Sequence, residues 1–442
     1  MPETLTLQTT WGRDPLPAGG DGQLAYLLLD VGATGETTAT GNLPLNLSLV
    51  LDHSGSMGGP KLDHLKDAVS RIIDELTPQD TLSIIVFDEH AKVIVPATRV
   101  TDKDALKAAV AGIREAGGTQ MSSGLQAGLT EVAREHQAGT VSRILLLTDG
   151  QTWGDAEQCE RLAEQAGQQE IPISAFGVGA DEDWSVSLLD KIAEKSHGEA
   201  DYIAQPAGML ASFRGTVQTM QNTVVKGAVL TLQLAAGVTA RSVYRINPMI
   251  GRVTPQQPDA NTVEVTIGDV QRDRNMTVLA ELVVPPRKPG QYRIVRAAAR
   301  STATNEAPVE GASRDVLLNF AAGARTQGDP RVMNIVEKAT AFKLQTRALE
   351  EAEIGNVEAA SRNLRSAATR LLNLGETDLA QAAESEAQQL EQRGQMSSAG
   401  TKKLTFATRK LAVDDVVAAT TPAASPPDAA GSPAPAAPEP GQ

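Results

Sequence analysis

The sequence predicts an α/β chain, with a doubly wound, mostly parallel sheet joined to an all-β sandwich-like domain and a C-terminal helical region. Three observations carry this. From residue 45 short apolar runs alternate with amphipathic helical segments, which is the pattern of a parallel sheet covered by helices on both faces. Residues 223–320 return to strand-like runs divided by turn signals at Asn247-Pro248, Pro258-Asp259 and Pro289-Gly290, as in a small all-β domain. Beyond Asp329-Pro330, a good helix start, the pattern stays helical to about residue 412.

Residues 1–44 alternate apolar and polar positions around LTLQTTW and QLAYLLLDV, with breaks at Gly19-Gly20 and Gly32. They read as two strands and are expected to complete the β-domain, which makes the α/β domain (45–222) an insertion into it. Within 45–222 the strand candidates are 45–51, 81–87, 92–95, 143–148 and 172–178. The helix candidates are 61–76, 103–115, 122–136, 155–168, 185–195 and 207–222. The step from 87 to 92 is too short for a helical crossover, so those two strands should form an antiparallel hairpin at one edge while the others run parallel. The β-domain is expected over 223–322. Helical hairpins follow over 329–415, punctuated by Gly355, Gly375 and Gly394, each placed where a C-cap glycine would sit. Residues 416–442 form an Ala/Pro-rich tail without periodicity, expected to be disordered.

The 442 residues carry a formal charge of −14 and a pI near 5.0, which argues against broad binding to nucleic acid. Cys159 is the sole cysteine, so no intrachain disulfide can form, and one thiol suits a reducing compartment. Its place inside a predicted helix, with no cationic cluster nearby, reads as a small buried apolar residue. The first residues lack the basic and apolar regions of a signal peptide, and no apolar run is long enough to insert into a membrane. A cytoplasmic location is the expectation.

The chemistry gathers at strand ends. Strand 45–51 runs into Asp52-His53-Ser54-Gly55-Ser56-Met57-Gly58-Gly59, after which a helix begins. Ligands of open parallel sheets bind outside the carboxyl ends of the strands, and Asp52, Ser54 and Ser56, spaced by two, can point at one centre there. Gly117-Gly118-Thr119 and Thr148-Asp149-Gly150 reach the same edge. Two carboxylates (Asp52, Asp149) and three hydroxyls (Ser54, Ser56, Thr119) thus form a hard, oxygen-only donor set. It suits Mg²⁺ or Mn²⁺, with Ca²⁺ as a weaker candidate, far better than zinc or copper. Five protein groups leave one octahedral position for water or for an acidic side chain of a partner. Catalysis is not expected. Asp52, His53 and Ser54 are too close in sequence to direct their side chains at one another, and no G-x-S-x-G elbow is present.

The elements DHSGS, Thr119 after a glycine pair, and the strand-terminal TDG resemble the metal-ion-dependent adhesion site of von Willebrand factor type A and integrin I domains, over roughly residues 45–222. The resemblance implies that Ser54 and Ser56 bind the metal directly. Thr119 would do so in the high-affinity state, and Asp52 and Asp149 directly or through water. It further implies a protein partner supplying a Glu or Asp to the metal. A partner-binding rim is expected from Asp88, Glu89, His90, Gln120, Met121, Trp153 and Trp184. The leading expectation is a non-enzymatic, metal-dependent protein-interaction module. The rival is an accessory subunit of an AAA-type ATPase complex, of the chelatase-like or metal-insertion kind. Because no G-x-x-x-x-G-K-[ST] occurs in the chain, that ATPase would be a separate polypeptide.

Overall fold

The computed structural model describes residues 4–34, 43–137, 139–150, 152, 154–179, 184–272, 274–301, 311–325 and 327–411. The chain opens with β1 (Thr4–Trp11), β2 (Leu16–Pro17) and β3 (Gln23–Thr34). There follow β4 (Leu45–Asp52), α1 (Pro60–Glu75), β5 (Thr81–Phe87), β6 (Ala91–Arg99), α2 (Lys103–Ala111), α3 (Met121–Arg134) and β7 (Val141–Thr148). Next come α4 (Ala156–Gln168), β8 (Ile173–Val178), α5 (Val186–Lys195), β9 (Glu199–Ile203) and α6 (Met209–Gln221). The second run of strands is β10 (Thr223–Leu234), β11 (Thr239–Arg245), β12 (Gly251–Val253), β13 (Gln256–Asp259), β14 (Thr262–Gln271), β15 (Met276–Val284), β16 (Gly290–Ser301) and β17 (Ala312–Ala321). Helices α7 (Pro330–Glu353), α8 (Val357–Asn373), α9 (Thr377–Arg393) and α10 (Ser398–Lys410) complete the described chain.

The α/β sheet has the order β6-β5-β4-β7-β8-β9. All its pairings are parallel except β5 with β6, so the hairpin edge lies where the short 87–92 step requires it. Every residue of β4, β5 and β7 is buried, because helices cover both faces of the sheet, and polar side chains such as Asn46 find partners inside, its Nδ2 donating to Val132 O at 2.8 Å. Leu45, Leu47, Leu49 and Leu51 pack toward α1, α2 and α6. Val50, Ile144 and Leu146 pack toward α3, α4 and α5. The chain leaves β4 toward β5 on one side and later fills the other side with β7. The strand order therefore reverses beside β4, and the crevice at such a reversal opens at the carboxyl ends.

Two further sheets form a sandwich, one ordered β1-β3-β15-β11-β12 and the other β13-β14-β10-β16-β17-β2. β3 pairs with β1 and β15, so the segment preceding the α/β domain lies in the same sheet as residues 276–284. The run QLAYLLLDV loses its alternation because both of its faces are covered. Leu27, Leu29 and Val31 point into the sandwich core, whereas Leu28 packs with Leu279 and Tyr244 against α7. The Arg331 guanidinium, at the start of α7, donates to both oxygens of buried Asp30 at 2.9 and 3.0 Å, fastening the helical region to the sandwich. Gly355, Gly375 and Gly394, at φ of 79°, 83° and 74°, turn the chain out of α7, α8 and α9 in the left-handed conformation that glycine adopts most readily. The tail expected at 416–442 lies outside the described residues.

Candidate functional site

The loop after β4 is short and pinned. Its 53–57 segment bonds to the loop before α3, with Ala116 N–H donating to His53 O at 2.9 Å and Gly55 N–H to Gly117 O at 3.3 Å. The β5–β6 turn is tied to the same loop by Gln120 N–H donating to Asp88 O at 2.7 Å. Gly117 sits at φ +40°, and a Cβ there would lie 3.1 Å from Asp88 Oδ2. Glycine is required at that position on both counts. Three separated loops are thereby fixed side by side at the carboxyl edge.

The oxygens of the expected donor set meet there. Ser54 Oγ and Ser56 Oγ are 3.0 Å apart, and Ser56 Oγ donates to Asp149 Oδ1 at 2.7 Å. A Cβ on Gly150 would lie 3.5 Å from Thr119 Oγ1 and 3.9 Å from Ser56 Oγ, so the Thr119 hydroxyl faces the same small space. Asp52 is fully buried. It accepts from Ser54 N–H at 2.8 Å and from Thr148 Oγ1 at 2.7 Å. Burial pushes its carboxyl above the usual carboxylate range, while those hydrogen bonds pull it back. Asp149 is 1% exposed, and the Lys61 ammonium donates to its Oδ2 at 2.6 Å and to Ser56 O at 3.2 Å.

Burying carboxylates is costly unless cations or donors neutralise them. Among the described residues no group of three or more His, Cys, Asp or Glu could hold a metal ion. A cation here would therefore rely on the two carboxylates together with the hydroxyls. The donor chemistry fits a hard divalent ion, and the Lys61 ammonium already supplies positive charge at Asp149 as a stand-in.

The expected rim divides. Asp88 is half-buried, and Glu89, His90 and Gln120 are exposed around the cluster. Met121 is 1% exposed, packing in the core with Phe87 and Leu125 as the first residue of α3. It therefore offers no surface to a partner. Trp184 is 3% exposed and is no rim residue either. Its ring packs at a tilt against Tyr202 and Phe406, each centroid 5.9 Å away, under the Lys402 ammonium at 4.4 Å, and its Nε1–H donates to Gly179 O at 3.0 Å. Helix α10 has closed over it. Trp153 lies outside the described residues.

Sequence reasoning missed four supporting residues. Lys61 is the second residue of α1, and first-turn side chains of a helix lean back toward its N-terminus. That direction was a usable signal. Thr148 orients Asp52. Thr152 and Asp155 tie the loop after β7 to α3, through Met121 N–H to Thr152 Oγ1 at 3.1 Å and Ser122 N–H to Asp155 Oδ2 at 2.7 Å. Nothing in their spacing marks them.

Comparison with known proteins assigns the parts. Residues 46–215 match the von Willebrand factor type A domain, and residues 330–414 match the Sll0103-like, C-terminal alpha-helical domain. The chain is similar to sll0103 of Synechocystis sp., 35% identical over 256 residues, which is 57% of this chain and 60% of the relative. It is also similar to YfbK of Escherichia coli, 25% identical over 250 residues, or 55% of this chain and 42% of the relative. The chain thus spans less than two thirds of the length of these relatives. In fold it is similar to a von Willebrand factor type A protein from Catenulispora acidiphila, with a TM-score of 0.74 at 18% identity, over 92% of this chain and 97% of that one. That likeness extends over the α/β, strand-rich and helical regions together. Among the described residues no helix is long and apolar enough to cross a membrane.

Proposed function

Residues 46–215 being a von Willebrand factor type A domain, we propose that this chain is a protein-interaction module in which Asp52, Ser54, Ser56, Thr119 and Asp149 hold a divalent cation. Mg²⁺ is favoured, with Mn²⁺ a close substitute. The cation supplies a Lewis-acidic point that accepts a carboxylate oxygen from a partner protein. Ser54, Ser56 and Asp149 would be among the groups holding the ion, Thr148 fixes the Asp52 carboxylate, and the exposed Glu89, His90 and Gln120 frame the approach. The observation that carries this reading is the meeting of hydroxyl and carboxylate oxygens from three loops, around Ser56 Oγ, at the end of buried strands. A partner's Glu or Asp entering there would make a strong charge-assisted contact on otherwise ordinary surface.

The test is affinity capture of partners by the full chain in Mg²⁺, repeated in EDTA and with Asp52→Ala. Recovery is expected to drop in both cases and to return when Mg²⁺ is restored to the unmutated chain. Equal recovery under all conditions would refute the metal-dependent reading.

A further inference from the structure

We infer that Lys61 is a built-in counter-ion of the oxygen cluster, displaced from Asp149 when a divalent cation enters, and that it biases the loaded site toward an anionic ligand. This rests on the metal-binding reading above. Its basis is the placement of one ammonium. Lys61 occupies the first turn of α1, where the positive end of the helix dipole disfavours a cation. The position is compensated locally. Its Nζ lies 2.6 Å from Oδ2 of an Asp149 side chain with no solvent exposure, and 3.2 Å from Ser56 O. The other oxygen of Asp149 is already taken up by Ser56 Oγ. Asp52, in contrast, is held by the neutral donors Ser54 N–H and Thr148 Oγ1. Among the described residues, Lys61 thus places its ammonium directly on the donor set, at Asp149.

An ammonium has three donors and no acceptor, so it cannot become a ligand of the ion that replaces it. It can only be repelled to the rim, where its flexible stem lets it stay nearby. The charges then follow. Asp52, Asp149 and Lys61 together carry one net negative charge. A divalent ion turns this into one net positive charge, which a single incoming carboxylate neutralises. Without Lys61 the loaded site would be neutral, and a carboxylate would leave it negative. Lys61 therefore weakens binding of the bare ion and strengthens the pull on an acidic partner once the ion is in place.

The experiment is Mn²⁺ titration of the full chain followed by electron paramagnetic resonance, for the unmutated protein, Lys61→Met and the polar, uncharged Lys61→Gln. Thermal unfolding of each is recorded in EDTA and in Mn²⁺. Both variants are expected to bind Mn²⁺ about tenfold tighter or more, the low end for releasing a close charge pair. Their Tm in EDTA should be lower, and Mn²⁺ should raise it by more than in the unmutated chain. Excess acetate should tighten Mn²⁺ binding in the unmutated chain and do so less in either variant. Variants that bind Mn²⁺ no tighter than an unmutated chain that does bind it would overturn the counter-ion role and leave the metal site standing. Absence of Mn²⁺ binding in all three proteins would overturn the metal-binding reading itself, and this inference with it.

Discussion

Asp149 and Asp190 are acidic side chains of the same α/β domain, one at the carboxyl edge of β7 and the other on α5, and each is matched to a cation. Asp190 receives both terminal nitrogens of Arg409 at 2.5 Å, and that guanidinium also lies over the Phe406 and Phe342 rings. The bidentate, planar geometry leaves little freedom, and it locks α10 onto the domain. Asp149 instead meets a hydroxyl and one lysine, a compact charge on a flexible stem. The first arrangement is a cross-link. The second is a charge that can be exchanged for another, and it occurs where the sheet opens to ligands.

If that contrast holds, the two aspartates separate in experiment. Asp149→Ala should weaken Mn²⁺ binding by about 100-fold or more, since even indirect partners of a metal site are typically worth up to about that much. It should leave α10 in place, as read by hydrogen exchange of residues 398–410. Asp190→Ala should leave Mn²⁺ binding unchanged but destabilise the chain by about 3 kcal/mol, the low end for stranding one charge of a buried pair because this one is partly exposed. Urea unfolding measures that loss. A metal defect in Asp190→Ala would dissolve the distinction.

The packing that seats Trp184 beneath α10 is probed by Gly177→Ala. A Cβ at that position would lie 2.4 Å from the indole, and the overpacking should cost about 2 kcal/mol.

A third way to treat a titratable group withdrawn from water is to keep it neutral, and half-buried His136 illustrates it. Burial depresses its imidazole, helped by the charge of Lys226 and opposed by Glu170. The folded chain therefore binds fewer protons than the unfolded one. Stability is retained above the unfolded value of about 6.5 and is lost as pH falls below it toward the depressed folded value. Urea midpoints at pH 7 and pH 5.5 should show this loss, and His136→Asn should reduce it. The smallest expected effect concerns Cys159. Its thiol is buried and pushed well above the ordinary range, first by burial and then by Asp155. Native protein should resist alkylation that proceeds readily in urea.

The sequence was most informative where one periodicity governed. The mostly apolar runs of β4, β5 and β7 between amphipathic helices announced the parallel sheet, and the 87–92 step announced its antiparallel edge. The short strand β9, EADYI, went unread because its acidic residues suit only an edge and dilute the apolar signal. At the site, the aspartates and hydroxyls could be gathered on paper because strand ends of a parallel sheet share one edge. Lys61 required attention to side-chain direction within a helical turn. Trp184 was misread because the element that buries it, α10, lies more than two hundred residues further along the chain. No local pattern encodes so distant a contact.

The most direct measurement is an anomalous difference map from a crystal soaked in Mn²⁺. The account predicts one strong peak enclosed by Asp52, Ser54, Ser56, Thr119 and Asp149, with the Lys61 ammonium moved away from Asp149. A map without a peak there, and with Lys61 still seated on Asp149, would contradict it.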